Sequence, residues 1–251
     1  MPQKPKMKIL ILLRYPKVEK SLWKKAIVDK LLAEGYEVSL LFGECSYWRH
    51  FRAALKEYGF GLFAKAKSEP PELQTSGVKL YGHFKNKLII RKVDDLNSKH
   101  SEKIIRALNP DYLLLLGTGI IRKNILSIKE SRVVHCHHGY LPDFRGVHMP
   151  EWALFHGKDV YITTHFINPG IDTGDIIRRK KIRVTRHDTL ASVRQRGKEE
   201  SVDLIVQTLN DLREGRIIAE KQSATEGRQY YRMHAFLKEM TNQKLQSLPV
   251  E

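Results

Sequence analysis

Short apolar runs alternate along this chain with segments of helical periodicity, and this alternation limits its possible folds more than any other feature. Residues 8–13 and 112–116 are apolar at nearly every position, which is typical of strands buried on both faces. Between and after these runs, apolar residues recur at helical spacing. Strands that alternate with helices form mainly parallel sheets covered by helices on both faces. The sequence therefore predicts a Rossmann-like α/β fold.

The same patterns predict the individual elements. Strands are predicted over residues 8–13, 37–42, 78–80, 88–92, 112–116, 133–136, 160–167 and 176–184. Helices are predicted between a cap at Ser21 and Gly35, over residues 47–58 and 98–108, from Pro150 onward, and from a cap at Asp188 or Thr189 to residue 214. Residues 65–82 are otherwise a predicted loop. This division predicts one domain over residues 1–215 and a short C-terminal extension over residues 216–251.

The densest group of chemically active side chains follows one predicted strand. In the run VVHCHH, residues 133–138, alternate side chains point to opposite faces, so His135 and His137 share a face. They lie about 6.5–7 Å apart along the strand, close enough to act on one reacting group or to bind one metal ion. Gly139 and Pro142 then end the strand. Because ligands of open α/β sheets bind at the carboxyl ends of strands, a site is predicted there.

The motifs that follow occur in a recognisable order, with Leu141-Pro142, Arg145-Gly146 and Asp172-Thr173-Gly174. Together with the preceding His-x-His, this order resembles the folate-dependent formyltransferases, whose pattern is Asn-x-His, Leu-Pro, Arg-Gly and Asp-x-Gly. The helix after Asn97 and the run NPDYLLLLGTGII at residues 109–121 are similar to that family's central region, with its strand and folate-side loop. The resemblance covers most of the chain, and it implies that residues 1–215 are the family's catalytic domain.

The resemblance also implies a role for each matching residue. His137 matches the family's catalytic histidine and Asp172 its catalytic aspartate, whereas His135 stands where the family has its catalytic asparagine. The formyl donor, 10-formyltetrahydrofolate, is expected to be bound by three loops. These are formed by Leu116, Gly117, Thr118, Gly119 and Ile120, by Gly139, Tyr140, Leu141 and Pro142, and by Gly170 and Ile171.

In this family an amine attacks the formyl carbon of the donor, and negative charge develops on the formyl oxygen. A hydrogen-bond donor aimed at that oxygen is worth about 3–4 kcal/mol in the barrier, and a base must take the surplus proton of the amine. The resemblance implies that His137, held cationic by Asp172, is this donor, and that Asp172 relays the proton through water. His135 can donate from one ring nitrogen but, unlike an amide, titrates near a pKa of about 6.5. Activity is therefore predicted to depend on pH more steeply than in a relative with asparagine.

Other interpretations of these residues stay open. The His-x-His pattern, with Cys136, His138, His148 and His165 nearby, also suits zinc, but a second ligand pair at zinc-finger spacing is missing and no metal is predicted. Asp172 also suits a turn on its own account. Cys136 is a weak candidate nucleophile, because a cysteine buried in a strand behaves as a small hydrophobe. His165 is predicted to be a packed or hydrogen-bonded strand residue.

Two features expected of particular family members are missing from this sequence, and this limits the expected class of amine acceptor. Where a glycinamide ribonucleotide enzyme of this family carries a Gly-rich phosphate loop, this chain has Arg14-Tyr15-Pro16-Lys17. A methionyl-tRNA formyltransferase is expected to carry a further C-terminal domain, for which residues 216–251 are too few. A small amine is therefore expected, for example an amino sugar on a nucleotide carrier. The alternatives are a methionyl-tRNA formyltransferase-like enzyme, a 10-formyltetrahydrofolate hydrolase and a folate-binding protein without turnover.

The net charge of +16 and a pI near 9.8 favour a polyanionic partner such as tRNA. The positive residues are spread along the chain, however, and the densest run, RRKKIR at residues 178–183, falls in a predicted strand. Its alternate members must face opposite sides of the sheet. A solvated basic surface is therefore favoured over a tRNA site.

The cysteine content and the N-terminal apolar run indicate the cellular location to expect. Two cysteines, Cys45 and Cys136, do not form a disulfide framework. The apolar run near the N-terminus has strand length and is expected to be neither a signal peptide nor a membrane span. A cytoplasmic location is therefore expected.

Overall fold

The computed structural model describes residues 6–15, 22–44, 80–129, 132–223 and 225–247. The strands in these ranges are β1 (Lys8–Tyr15), β2 (Glu37–Glu44), β3 (Ile89–Val93), β4 (Tyr112–Leu116), β5 (Val133–His137), β6 (Phe144–Gly146), β7 (Val160–Phe166), β8 (Ile176–Ile182) and β9 (Arg228–Tyr230). The helices are α1 (Leu22–Ala33), α2 (Leu80–Phe84), α3 (Lys99–Leu108), α4 (Lys123–Leu126), α5 (Met149–Phe155), α6 (Leu190–Arg213) and α7 (Ala235–Gln246). None of these helices is long and apolar enough to span a membrane.

Seven strands form one sheet in the order β3-β2-β1-β4-β5-β7-β8. The strands from β3 to β5 in this order are parallel, whereas β7 is antiparallel to β5 and β8 is antiparallel to β7. The predicted Rossmann-like, mainly parallel sheet is therefore confirmed. The chain reverses its direction of travel across the sheet between β1 and β4, and at such a switch point ligands bind beyond the carboxyl ends of the strands.

Alternate residues of β1 point into two separate cores, which explains its continuous apolar run. Ile9, Ile11 and Leu13 pack beneath α1, α5 and α6 on one face of the sheet. Leu10 and Leu12 pack beneath α3 and α4 on the other face. Helices thus cover both faces, as the alternation of elements predicts.

Some predicted elements have a different outcome. The predicted helix at residues 47–58, the cap at Ser21 and most of the predicted loop at residues 65–82 lie outside the described residues. The end of that loop, residues 80–82, begins helix α2 and is neither strand nor loop. Thr189, and not Asp188, caps α6, because its side chain accepts from the Ser192 amide while the Ser192 hydroxyl accepts from the Thr189 amide.

The residues after Gly215 return along the domain. Strand β9 pairs in parallel with β6 in a second, two-stranded sheet, and α7 packs against α5. Met233 and Leu245 are buried. Glu220 forms an isolated bridge to Ile176 at the start of β8. The extension therefore contacts β6 and β8.

The basic run on β8 is engaged in ion pairs on both faces of the sheet. Its members pair with different acids, namely Arg178 with Asp211, Arg179 with Glu220, Lys180 with Glu200 and Lys181 with Asp159. The run therefore does not form a single basic stripe, in agreement with the strand alternation.

Candidate active site

The carboxyl end of β5 carries two histidines on one face. Alternate residues of a strand share a face, so His135 and His137 project on the side of the sheet where Val133 packs beneath α3 and α4. Strand β7 runs antiparallel beside β5, and its register sets His165 directly opposite His135. The ring centroid of His165 lies 5.8 Å from that of His135 and 6.2 Å from that of His137. Three imidazoles therefore share one space.

Asp172 reaches this space from the loop between β7 and β8. Its backbone is left-handed, with φ of 53°, which is uncommon for a residue with a side chain. Asn168 shapes the loop by accepting a hydrogen bond from the Gly170 amide. Gln222, from the C-terminal extension, donates to the Asp172 carbonyl oxygen at 3.0 Å. The Asp172 carboxylate in turn accepts a hydrogen bond from the Gly146 amide at 2.9 Å. Two distant segments thus hold the strained residue in place.

The three residues predicted to be catalytic come together. His137 Nδ1 lies 3.5 Å from Asp172 Oδ2, and the possible metal-binding atoms of His135, His137 and Asp172 all lie within 4.8 Å of one another. His165 is fully buried, as expected of a packed strand residue, yet its Nε2 also lies 3.7 Å from Asp172 Oδ1. The antiparallel register that brings His165 there leaves no local trace in the sequence. The catalytic roles themselves stay a prediction.

Backbone carbonyl groups orient all three rings. Each ring donates from one nitrogen to a carbonyl oxygen, namely His135 Nδ1 to Leu115 (3.0 Å), His137 Nε2 to Phe144 (2.8 Å) and His165 Nδ1 to Phe166 (2.7 Å). Because a carbonyl oxygen only accepts, these nitrogens carry the hydrogen in each ring. The other nitrogen of each ring is left for the space shared with Asp172.

Burial and charge decide the protonation of the site. Burial lowers the pKa of His135, and it lowers the pKa of His165 to about 3, so both rings are neutral near pH 7. Burial alone would raise the pKa of Asp172, but the neighbouring imidazoles, His137 first, hold this pKa below its ordinary value. The expectation that His135 titrates near pH 6.5 is therefore wrong. The steeper pH dependence inferred from it loses its basis near neutral pH.

The loop after β4, one of the three predicted donor-binding loops, presents bare backbone. Gly117 and Gly119 have φ of 73° and 72°, a region that favours glycine. The side chain of Ile120 is 70% exposed. Asn97 holds the loop, because its side chain donates to the Ile120 carbonyl at 3.1 Å and accepts from the Arg122 amide at 2.7 Å. Asn97 is thus a positioning residue that sequence reasoning noted only as a landmark.

The second predicted donor loop begins at Gly139 and packs tightly behind the His137 ring. A Cβ atom on Gly139 would lie 2.8 Å from both His137 Nε2 and Met149 Cβ, so a larger residue does not fit without movement. Across the three loops, the buried members are Leu116, Thr118, Gly139 and Leu141, and the partly or fully exposed members are Gly117, Gly119, Ile120, Tyr140, Pro142, Gly170 and Ile171. The exposed members are the ones available to a ligand, and their contact with the donor stays a prediction.

A cavity of about 310 Å³ lies beside the two strand histidines. Trp23 of α1 and Arg194 and Lys198 of α6 line it together with Glu151 of α5. Glu151 is fully buried and forms an ion pair with Arg194. Sequence reasoning missed these four residues, because they lie on three helices far apart in the chain. The four-residue spacing of Arg194 and Lys198 on one helix was the only local indication.

The other cysteine and histidine candidates near β5 do not belong to the candidate site. Burial raises the pKa of the Cys136 thiol to about 12, which argues against Cys136 as a nucleophile. Burial also lowers the pKa of His138 to about 3. Neither residue, nor His148, joins the group formed by His135, His137 and Asp172.

Comparison with known proteins links this chain to one family. A family model described as formyl transferase matches residues 20–209. The methionyl-tRNA formyltransferase of Halothermothrix orenii is 29% identical over 171 residues, which are 67% of this chain and 54% of that protein. This chain thus spans about half the length of the curated relatives that it matches.

Solved structures share the fold. The N-formyltransferase from Helicobacter canadensis, in complex with folinic acid and dTDP-3-aminofucose, superposes with a TM-score of 0.62 at 14% identity, covering 90% of this chain and 71% of that one. The phosphoribosylglycinamide formyltransferase from Bacillus halodurans superposes with a TM-score of 0.60 at 20% identity, covering 82% and 94%. At these identities the likeness shows the fold alone, and proteins named for different acceptors share it.

Proposed function

Because this chain belongs to the formyl transferase family, we propose that it transfers a formyl group from 10-formyltetrahydrofolate to a small amine. The observation that carries the proposal is the convergence of His135, His137 and Asp172 within 4.8 Å at the end of β5. Two of the three match the catalytic pattern of the family, and the third replaces its asparagine by another nitrogen-bearing side chain.

The donor, when bound, supplies the formyl carbon: the amine bonds to this carbon, the bond from the carbon to N10 of the folate breaks, and the surplus proton of the amine ends on N10. In this scheme neutral His135 is the base that accepts the amine proton, because its Nδ1–H is held by Leu115 and its Nε2 lone pair faces the site. Asp172 stabilises the resulting positive charge. His135 therefore does different work from the asparagine that it replaces.

His137 is the proposed donor to the developing charge on the formyl oxygen. The distance of 3.5 Å between its Nδ1 and Asp172 Oδ2 is longer than a charge-assisted hydrogen bond of about 2.7–2.9 Å. When this nitrogen carries a proton, it is close enough to Asp172 to be stabilised, yet not fully engaged by it. The bond from Nε2 to the Phe144 carbonyl fixes the ring in that orientation.

The lining of the adjacent cavity supports an acceptor that carries an aromatic base and phosphate groups. Trp23 offers a ring on which a base can stack, and Lys198 brings a positive charge to the same cavity. We therefore propose a nucleotide-linked amino sugar as the acceptor class. The Helicobacter canadensis protein of the same fold was solved with a ligand of this class.

One observation favours a second candidate, transfer to methionyl-tRNA. A cleft of about 870 Å³ at the outer end of β7 and β8 is lined by Lys158, Arg183, Arg186 and Lys244, with Asp159 as the acidic member of its lining. Such a cleft suits a phosphate backbone, and the matched relative from Halothermothrix orenii is a methionyl-tRNA formyltransferase. Binding of tRNA through this cleft would weaken steeply with salt, whereas binding of a nucleotide sugar would weaken much less.

The test is release of tetrahydrofolate from 10-formyltetrahydrofolate by the purified protein, with and without a panel of amines that includes nucleotide-linked amino sugars and methionyl-tRNA. Release that requires an amine is expected. The Asp172→Asn variant should lose at least about 100-fold in rate, as is typical when a charged group that stabilises the transition state is removed. Asp175→Asn, in the same loop, is the matched control and should retain activity.

Other outcomes would overturn the proposal in different ways. Release without any amine would identify a hydrolase. Folate binding without release under any condition would identify a binding protein. Equal rates for the Asp172→Asn and Asp175→Asn variants would show that the Asp172 carboxylate does not take part in the reaction.

A further inference from the structure

The shared space between β5 and β7 gathers four groups that can give an electron pair. The rings of His135, His137 and His165 each use one N–H on a backbone carbonyl, which leaves a lone pair on the other nitrogen whenever the ring is neutral. These nitrogens lie near the Asp172 carboxylate, with His137 Nδ1 at 3.5 Å and His165 Nε2 at 3.7 Å from its oxygens. Acceptors crowded into one such space repel each other unless a cation lies between them.

His165 gives the clearest sign of a missing cation. Its side chain is fully buried, and its Nε2 has no hydrogen-bond partner among the described residues. A buried acceptor without a partner costs about 1–3 kcal/mol. A proton shared between His137 and Asp172 does not satisfy this nitrogen. A cation that contacts all four groups does.

We propose that His135, His137, His165 and Asp172 bind a divalent transition metal ion of the zinc class. Zinc takes nitrogen from histidine and oxygen from aspartate at about 2.0–2.2 Å in a tetrahedron, so its ligand atoms lie roughly 3.3–3.5 Å apart. The ligand atoms of His135, His137 and Asp172 already lie within 4.8 Å of one another, and His165 Nε2 lies 3.7 Å from the second Asp172 oxygen, Oδ1. Side-chain movements are needed to bring all four groups to one ion.

The surroundings of the rings also suit a metal ion. A histidine that binds a metal usually donates its other ring N–H to a carbonyl or carboxylate, and the carbonyl oxygens of Leu115 and Phe166 already accept such bonds from His135 and His165. The site is therefore organised before the ion arrives.

This inference shares residues with the proposed function but does not require it. An ion on His137 Nδ1 and Asp172 excludes the proton that formyl transfer needs there, so the metal-bound protein is an inhibited form of the proposed enzyme. The proposed metal site depends on His135, which stands where the family pattern has asparagine. An asparagine amide at this position is a poor ligand for zinc.

The probe is Co²⁺, which reports tetrahedral coordination through its visible absorption and is displaced by Zn²⁺. Protein without a histidine tag, freed of metal by a chelator, is titrated with CoCl₂. We expect one equivalent to bind with strong visible bands that Zn²⁺ removes. His135→Asn should weaken binding by more than about 100-fold, because even an indirect partner of a metal ligand is worth about 10–100-fold.

The control variant is His100→Asn, which changes an exposed histidine of α3 and should bind Co²⁺ like the wild type. His165→Asn gives a second test if His135→Asn does not fold. Weak binding without a defined stoichiometry, or His135→Asn and His165→Asn variants that bind as tightly as wild type, would overturn the proposal. The spectrum is the same whether or not the protein transfers formyl groups, so this proposal and the proposed function fail separately.

Discussion

Replacing Gly139 with alanine should damage the candidate site by displacing the His137 ring. The added Cβ would lie 2.8 Å from His137 Nε2 and 2.8 Å from Met149 Cβ. Contacts of this kind are favourable at about 3.5–4.0 Å, so one or both neighbours must move by about 0.7 Å or more. Met149 Cβ is attached directly to helix α5 and yields little, so most of the movement falls on the ring. Its 2.8 Å hydrogen bond to the Phe144 carbonyl is then stretched or lost.

The expected magnitudes follow from this displacement. Misplacing a catalytic group by about 1 Å costs about 100-fold in rate, so we expect kcat/KM for formyl transfer to fall by roughly 30–100-fold, or about 2–3 kcal/mol. Overpacking costs about 1–3 kcal/mol, of which the lower chain entropy of unfolded alanine returns about 0.4–1 kcal/mol. The net loss of about 1–2 kcal/mol should lower Tm by roughly 3–6 °C in a chain of this size.

The matched control is Gly197→Ala on helix α6. Its Cβ would meet its nearest neighbours at 3.8 and 3.9 Å, which is ordinary contact, and alanine favours a helix over glycine by about 0.5–1 kcal/mol. Thermal unfolding and formyl-transfer kinetics are measured on wild type and both variants. Gly197→Ala should raise Tm while Gly139→Ala lowers it. A Gly139→Ala variant with unchanged Tm and unchanged kcat/KM would refute the reasoning from the close contacts.

Three further predictions concern the donor loop, the stability in acid and the buried thiol. Asn97→Ala removes two hydrogen bonds from the loop after β4, so KM for the donor should rise about 5–30-fold in steady-state kinetics, with kcat nearly unchanged. The Arg196 guanidinium holds the pKa of Asp188 below its ordinary value, so this pair stabilises the fold above the unfolded-state pKa of about 3.9 and loses its effect as pH falls further. Urea unfolding should therefore find wild type more stable than Asp188→Asn at pH 7, with the difference shrinking in acid. Because burial raises the pKa of Cys136 to about 12, this thiol should resist iodoacetamide at pH 8 in a Cys45→Ser background and react once urea unfolds the chain.

Each of these has a contrary result. A drop in kcat at unchanged KM for Asn97→Ala would show that the residue acts on the chemistry and not on the donor loop. A stability difference for Asp188→Asn that is the same at pH 7 and pH 3 would show that its charge is not the cause. Rapid alkylation of Cys136 in the folded protein would contradict its burial.

Local patterns in the sequence were sufficient to predict most of the strands and helices and the fold class of this protein. Continuous apolar runs such as β1 predict strands buried on both faces, and a period of two along β5 predicts that His135 and His137 share a face. The ends of α6 were also predictable, because a capping residue begins this helix and a glycine follows its end, and both signals are local in the sequence. These features depend on residues close together in the chain, so periodicity and turn chemistry reveal them.

The working arrangement of the site depends on contacts between distant residues. The register between β5 and β7 sets His165 opposite His135, and the loop after β7 folds back so that Asp172 meets His137. Gln222 then fixes that loop from the C-terminal extension. Burial, which no local pattern measures, lowers the pKa of His135, and hydrogen bonds to backbone carbonyls leave the other ring nitrogens facing one carboxylate. Strand register and burial are properties of the packed chain, so they exist only after the elements assemble.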